Sequence, residues 1–354
     1  MARWALPVAV LALAATAACG GAGGNGSANN SSLNSKSTAD LYSAAKSEGK
    51  VTWYTTYVTQ QAQQLGAAFT KKYPGVKVEI LQGSVDKLTA RLGVEQTARK
   101  FNDDVFQGDA SYGTQLINAG NLVAYTPPDG PTLPAGIDLP KGFQNVDAVL
   151  TTVIAYNPTV LKQHGLTPPT SVQDLTKPQW KGQFSADDRN VNWYESLINS
   201  VGHDRAKALV QALAANRPTL VESHTLAVTQ VQSGEPLATI AAYGYLASDL
   251  AKRTPNAMAL VNPNPLPSAP DVVEIARNAP HPNAARLFLD WLVSREGQQA
   301  VVRTTNRISV VPGTGTDPAV WNPKTWKPAW SSPGLPADNF NTYTQELKTA
   351  FGAA

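Results

Sequence analysis

From residue 40 onward, apolar positions along the chain switch in regular succession between a spacing near 3.6 and a spacing of 2. Residues 40–48 have helical spacing, with Gly49 as the stop. Residues 51–56 are β-branched and aromatic, and predict a strand. Ala62, Leu65, Ala68 and Phe69 then share one helical face over residues 59–72, ended by Tyr73, Pro74 and Gly75. A second alternating strand covers residues 76–81. Gly83 and Ser84 turn the chain into a helix over residues 85–100. A short strand at 104–106 and a helix at 111–118, stopped by Gly120, complete a βαβαβα series. Such a series predicts a parallel sheet with helices on both faces.

Residues 126–142 are rich in proline and glycine and lack periodicity, which predicts a long loop or crossover. Residues 148–156 are almost continuously apolar and β-branched, so they predict a buried strand, closed by Asn157 and Pro158. The alternation then resumes. A short helix start is expected at 171–175, strands at 182–186 and 236–242, and helices at 193–201, 205–214, 228–233 and 243–252. Residues 258–261 predict a return strand. Ala285, Leu287, Phe288, Trp291 and Leu292 mark a strongly amphipathic helix over 282–294. Two α/β lobes joined by extended segments at 148–156 and about 258–261 would enclose a hinged cleft. The expected lobes are residues 39–150 with 262–312, and residues 151–261. Residues 313–354, with Trp321, Trp326 and Trp330 among prolines, are expected to pack on a lobe.

The first residues depart from this rhythm. Arg3 precedes an apolar run at 6–13, followed by Ala14, Ala15, Thr16, Ala17, Ala18 and the single cysteine, Cys19. Small residues directly before a cysteine suit lipoprotein signal peptidase, with Cys19 presenting its thiol for acylation. Residues 1–19 therefore predict a lipoprotein signal peptide; the bland alternative is a plain secretory signal with a chance cysteine. The apolar run is shorter than the ~20 residues a spanning helix needs. Residues 20–38 are almost wholly Gly, Ala, Ser and Asn with one charge, Lys36, and read as a flexible tether.

Composition narrows the remaining chemistry. The 354 residues, less signal and tether, leave roughly 315, which suits two lobes of ~100–200 residues. Once Cys19 is acylated no thiol remains, so disulfides and cysteine catalysis are excluded. A net charge of +3 without a Lys/Arg block gives nucleic-acid binding no support. Eight tryptophans and eleven tyrosines supply ample aromatic surface for core or pocket.

Several ordered stretches resemble the bacterial extracytoplasmic solute-binding proteins of ABC importers, and most closely the cluster that includes the ferric-ion-binding periplasmic proteins. They are residues 50–56, residues 69–78 with Tyr73-Pro74-Gly75, Asp104-Val105-Phe106, Tyr156-Asn157-Pro158, Pro178-Gln179-Trp180-Lys181-Gly182, residues 279–288 and residues 292–298. The resemblance spans about residues 40–312. It implies an α/β Venus-flytrap fold of two lobes, each a mostly parallel sheet flanked by helices. The ligand would be held between lobes that close by hinge motion, and delivered to a membrane permease with its ATPase. A monomer is expected, with no cofactor and no enzymatic activity. Ferric iron, an iron chelate or a small organic anion is the implied cargo.

Strand-to-helix loops facing the cleft should touch that cargo, because helix N-termini there present unpaired N–H groups. Tyr54, Thr55 and Thr56 end the first strand; Thr55 or Thr56 would otherwise only cap the helix. Gly83 and Ser84 occupy the equivalent second loop. Asp109, Ala110 and Ser111 follow the third strand, and an acidic residue near Asp109 ligates the metal in iron-binding relatives. Asn190, Asn192, Trp193 and Tyr194 open a helix, with core packing as the competing use of the aromatic pair. Ser223, His224 and Thr225 form another helix-opening loop, where a lone histidine is more often structural. Tyr243 matches the first of two adjacent iron-binding tyrosines in the relatives. Gly244 replaces the second, and Tyr245 on one helix would point about 200° away. Val58 stands where some relatives carry a ligating histidine. The metal set, if iron is the cargo, is thus Tyr243 and Asp109. Arg189 and Arg307 offer guanidiniums to an organic anion, or serve in salt bridges. His281-Pro282 is a helix start, so His281 is structural or permease-facing.

Two other classes of reading exist. A hydrolase finds no nucleophile elbow, metal-hydrolase helix or phosphate-cradling loop, and Asp187-Asp188 is a lone acidic pair that cap or loop use explains. A surface lipoprotein with a structural or sensory role is the second alternative; the repeats such a protein would carry are not found.

Overall fold

The computed structural model describes residues 37–352, apart from 131, 319, 320, 323 and 326. The signal peptide, Cys19, most of the tether and Trp326 lie outside the described residues. The first elements are α1 (Thr38–Glu48), β1 (Lys50–Thr55), α2 (Thr59–Lys72), β2 (Lys77–Gln82), α3 (Val85–Thr97), β3 (Val105–Asp109), α4 (Ala110–Asn118) and β4 (Leu122–Val123). The long strand β5 (Val146–Tyr156) follows, then α5 (Pro158–Gln163), β6 (Phe184–Ala186), α6 (Val191–Val201), α7 (His203–Ala215) and β7 (Thr219–Leu220). Next come α8 (His224–Ser233), β8 (Ala238–Tyr243), α9 (Gly244–Arg253), β9 (Ala259–Val261) and a second long strand, β10 (Leu266–Ala276). The chain ends with α10 (Pro282–Val293), α11 (Arg295–Thr305), β11 (Pro328–Trp330) and α12 (Ala337–Phe351).

Local chemistry explains the boundaries. Ser37 Oγ accepts the Asp40 N–H at 3.2 Å and starts α1. Gly49, at φ 79°, ends it in the left-handed region that a side chain disfavours. Asn157 caps α5, with Pro158 at its first position.

The strands run in the order β2-β1-β3-β10-β5-β8-β6-β7. β1 is parallel to β2 and β3, and β6 is parallel to β7 and β8. Between these two parallel groups lie the long antiparallel strands. β5 pairs with β10 from Val146 to Thr151, then with β8 and β9 from Thr152 to Tyr156. One strand therefore belongs to both halves of the molecule. This is the mixed α/β architecture of the two-lobed periplasmic binding proteins.

The return crossing differs from expectation. Residues 259–261 form β9, which stays with the second half of β5; the chain crosses after Val261, into β10. Pro267 and Pro270 obscure β10 in the sequence. Each sits where one flank lacks a partner: Pro267 pairs only with β11, and Pro270 lies between the β11 and β3 pairings. A proline lacks the N–H that a strand paired on both sides would use.

Each half has its own core. In the first, Trp53, Phe69, Phe288 and Trp291 interlock with ring centroids 5.1–6.1 Å apart. In the second, Trp180, Phe184, Trp193 and Tyr194 pack with Leu213 of α7 and Leu347 of α12. Burying each such side chain stabilises by roughly 1.5–3 kcal/mol. The C-terminal segment thus pairs β11 with β10 and lays α12 on α6 and α7.

Candidate functional site

A cavity of about 520 Å³ lies where the two parallel groups of strands face one another, and it is lined by loops from both. The first half contributes Thr56 and Val58 before α2, Gly83 and Ser84 before α3, and Asp109 and Tyr112 around the start of α4. The second contributes Arg189, Asn190 and Asn192 at α6, Ser223 and His224 at α8, and Tyr243 and Tyr245 at α9. Asp271 of β10, Arg307 beyond α11 and Phe340 of α12 complete the wall. Larger grooves lie elsewhere, one of about 940 Å³ between α7 and α12 and one of about 640 Å³ beside Trp330. Neither receives helix N-termini from both halves.

Thr56, Gly83, Ser84, Asp109, Ser223 and Tyr243 are therefore brought together as the sequence predicts. Five other residues are not. Tyr54 turns into the first half, where its hydroxyl donates to Glu95 at 3.0 Å. Thr55 is buried, its Oγ1 donating to Gln107 Oε1 at 2.8 Å. Ser111 is buried beside Asp109, whose Oδ1 accepts its N–H at 2.8 Å and its hydroxyl at 2.6 Å. Trp193 and Tyr194 belong to the second core; the Tyr194 hydroxyl donates to Glu346 at 2.8 Å. Successive residues at a strand end or in a first helical turn point in different directions, and the loop's position alone does not say which one faces the cleft. Asp187, read as a cap, does accept the Arg189 N–H at 2.9 Å but also lines the cavity.

The expected divergence of Tyr243 and Tyr245 is also corrected. Tyr243 is not helical: it ends β8 with extended backbone (φ −72°, ψ 136°), and α9 begins at Gly244. The 100° step does not apply across that junction. The two rings lie 6.0 Å apart, nearly parallel, and both line the cavity. The Tyr243 ring also lies against His224, with centroids 3.8 Å apart and the planes tilted by 31°. Burial, with Asp109 and Asp271 nearby, holds the Tyr243 phenol well above its ordinary range. His224 Nδ1 lies 2.7 Å from the Ala241 carbonyl, an acceptor, so Nδ1 carries the proton. Burial lowers the histidine's pKa, which keeps it neutral.

Beneath the cavity runs a buried ionic network centred on Arg307. Arg307 Nη1 donates to Asp271 Oδ2 at 2.7 Å. Its guanidinium lies 4.0 Å from the Tyr57 ring centroid and 5.1 Å from that of Tyr245. Tyr57 donates to Asp147 at 2.8 Å. Gln107 Nε2 donates to Asp271 at 3.3 Å, while its Oε1 accepts from Thr55 and from the Thr56 N–H. Burial raises Asp147 to about 6 and Asp271 to about 8, against the pull of Arg307. Two carboxylates share one guanidinium, so one of them tends to keep its proton.

The groups still open to a ligand decide what the cleft can hold. Among the carboxylates, Asp271 is paired with Arg307, Asp187 accepts the Arg189 N–H, Asp109 accepts from Ser111 and, across the cleft, from Asn192 Nδ2, and Glu222 lies exposed at the rim. Two buried donors of the lining are unmatched. Arg307 Nε and Asn190 Nδ2 are buried without partners. Helices α2 and α9 start at Val58 and Tyr243, with neither a side-chain cap nor an acidic residue in the first turn. Their free N–H groups and dipoles favour negative charge. Among the described residues, no cluster of three or more His, Cys, Asp or Glu is arranged to hold a metal ion.

Two α/β halves linked by long shared strands, with helix N-termini converging on the cavity between them, define a protein that binds a ligand between lobes. The sequence profile of the bacterial extracellular solute-binding proteins matches residues 52–299, and the chain belongs to that family. Over 270 residues it is 27% identical to the Fe(3+)-binding periplasmic protein of Serratia marcescens, covering 72% of this chain and 76% of that one. Its fold is similar to iron-bound HitA from Pseudomonas aeruginosa, with TM-score 0.70 and 21% identity over 85% of this chain and 99% of that one. It is also similar to AfuA from Actinobacillus pleuropneumoniae with exogenous fructose-6-phosphate bound, with TM-score 0.69 and 20% identity over 86% and 97% of the two chains. Family and fold point to binding rather than turnover. No helix among the described residues is long and apolar enough to cross a membrane.

Proposed function

We propose that this protein captures a small anionic solute in the cleft and delivers it to an ABC import permease and its ATPase, while lipid on Cys19 holds it to the outer face of the cell membrane. The observation that carries the reading is the set of unmatched donors at the cavity: Arg307 Nε, Asn190 Nδ2 and the uncapped starts of α2 and α9. An organic carboxylate or phosphate, or an iron chelate bearing carboxylates, matches that set. The change of partner at Thr151 and Thr152 supports lobes of residues 39–150 with 262–312 and of residues 151–261.

Ferric iron bound directly is the second reading. It is favoured by the side-by-side phenols of Tyr243 and Tyr245, near Asp109, and by the name of the Serratia relative. A thermal-shift panel on the purified protein separates the two. It sets phosphate, phosphate esters and carboxylates against ferric iron with carbonate or citrate. A ligand at 100 times its dissociation constant adds about 2.7 kcal/mol, several degrees of melting temperature. Stabilisation by the anions, reduced in Arg307→Gln, supports the first reading. A red tyrosinate complex with iron that Tyr243→Phe abolishes overturns it in favour of the second. Labelled palmitate carried by the wild type and lost in Cys19→Ala tests the anchor.

A further inference from the structure

We infer that the C-terminal helix supplies a specificity wall, Phe340, and that the cargo is an organic anion with an aromatic or similarly flat apolar body. The inference rests on the anion reading above and narrows it.

Phe340 lies outside the stretch, residues 52–299, that the family profile matches. It nevertheless lines the cavity. Its helix is firmly held. Leu347 is fully buried in the second core, with Tyr343 and Phe351 packed against the same cluster. Glu346 of that helix accepts from the Tyr194 hydroxyl at 2.8 Å and Lys207 Nζ at 2.8 Å, and lies 2.7 Å from His203 Nε2. Phe340 is thus fixed relative to α6 and α7. From there it reaches across to the first half and meets the Tyr112 ring edge-on, at 5.9 Å and 78°. The pair spans the cleft.

Among mostly polar neighbours, Val58, Val85 and Leu246 add apolar surface to the same cavity, and Val58 is 48% exposed. The cavity of about 520 Å³ would hold roughly 17 waters at ~30 Å³ each. A bare phosphate, carboxylate or metal ion leaves the faces of Phe340 and Val58 wet. A ring covering Phe340 and Tyr112 removes that exposure, while its anionic group meets the unmatched donors.

The test is calorimetry on the full mature protein with matched probes: phenyl phosphate against inorganic phosphate, and benzoate against acetate. Phenyl phosphate is expected to bind about tenfold tighter than inorganic phosphate, the gain from one ring contact. Phe340→Ala should remove most of that preference, bringing the ratio of the two phosphate affinities close to one. Phe340→Leu, which keeps apolar bulk if the alanine variant fails to fold, should lose about half of it on a logarithmic scale. Equal affinity for the two phosphates in the wild type overturns the inference and leaves the anion reading standing. So does a preference that survives both substitutions. If neither the phosphates nor the carboxylates bind, both readings fall together.

Discussion

Arg307→Met tests the buried network under the cleft most directly. The substitution keeps a long apolar stem against Tyr57 and Tyr245 and removes the guanidinium. Asp271 loses its 2.7 Å partner, and Asp147 loses the positive charge opposite Tyr57. Removing one member of a buried pair costs about 3–5 kcal/mol when the other charge remains. Here the carboxylates have an alternative, which is to stay protonated. With Arg307 present, Asp147 titrates at about 6 and Asp271 at about 8. Without it, both rise further. Between about pH 6 and pH 8 the folded variant then holds about one proton more than the folded wild type, while both unfolded chains released theirs near pH 4.

The sign follows. A proton bound only in the folded state makes stability fall as pH rises. The cost of Arg307→Met should grow by about 1.4 kcal/mol per pH unit, or about 3 kcal/mol across that window. Urea denaturation of both proteins at about pH 6, 7 and 8 measures it. The wild type itself should lose stability from acid toward pH 8, as Asp147 and then Asp271 ionise at an energetic cost. A variant whose deficit is constant across the window would refute the shared-proton account, because the difference in bound protons would then be zero.

Three further outcomes are expected. Tyr54→Phe should cost about 1 kcal/mol through the lost bond to Glu95 and leave anion binding unchanged, by urea denaturation and calorimetry with inorganic phosphate. Asn192→Ala removes the donor that meets Asp109 across the cleft. A hydrogen bond to a charged group contributes about 1.5–3 kcal/mol, so the ligand-free protein should open, seen as a larger radius of gyration in small-angle scattering, with anion affinity down at least about tenfold. Gly297→Ala should destabilise severely, at or above the upper end of the ~1–3 kcal/mol typical of overpacking, because its Cβ would fall 1.9 Å from the Trp291 carbonyl oxygen. A melting temperature within a degree of wild type would contradict that placement.

The parts of the fold legible in the sequence are those whose signals are local. Helix α2 could be bounded to the residue because its apolar face and the Tyr73-Pro74-Gly75 stop are adjacent in sequence. Strand β10 could not, because Pro267 and Pro270 are tolerated only through the particular neighbours that β11 and β3 provide. Helix α12 carried its period in Phe340, Tyr343 and Leu347, but followed a proline- and tryptophan-rich stretch that reads as irregular. The site shows the same divide. Which loops reach the cleft follows from the βα order, so Thr56, Gly83, Ser84, Asp109, Ser223 and Tyr243 were within reach. Which side chain in a loop turns inward depends on where strand pairing stops, and so Tyr54, Thr55 and Trp193 were not.

The network is illegible for a stronger reason. Gln107, Asp147, Asp271 and Arg307 come from four separate strands or loops, and none has a neighbour in sequence that hints at its partners. Their assembly matters to the cleft because it fixes the charge of the floor. With both carboxylates ionised, one guanidinium would leave that floor negative and oppose an anion. A proton retained on the pair makes it neutral, so the unmatched Arg307 Nε and the helix starts at Val58 and Tyr243 set the local field. The guanidinium already packs against Tyr57 and Tyr245, so little side-chain freedom remains to be lost when a ligand arrives. Buried carboxylates beneath an anion site are therefore compatible with it, provided they are the groups that orient the cation and share its charge.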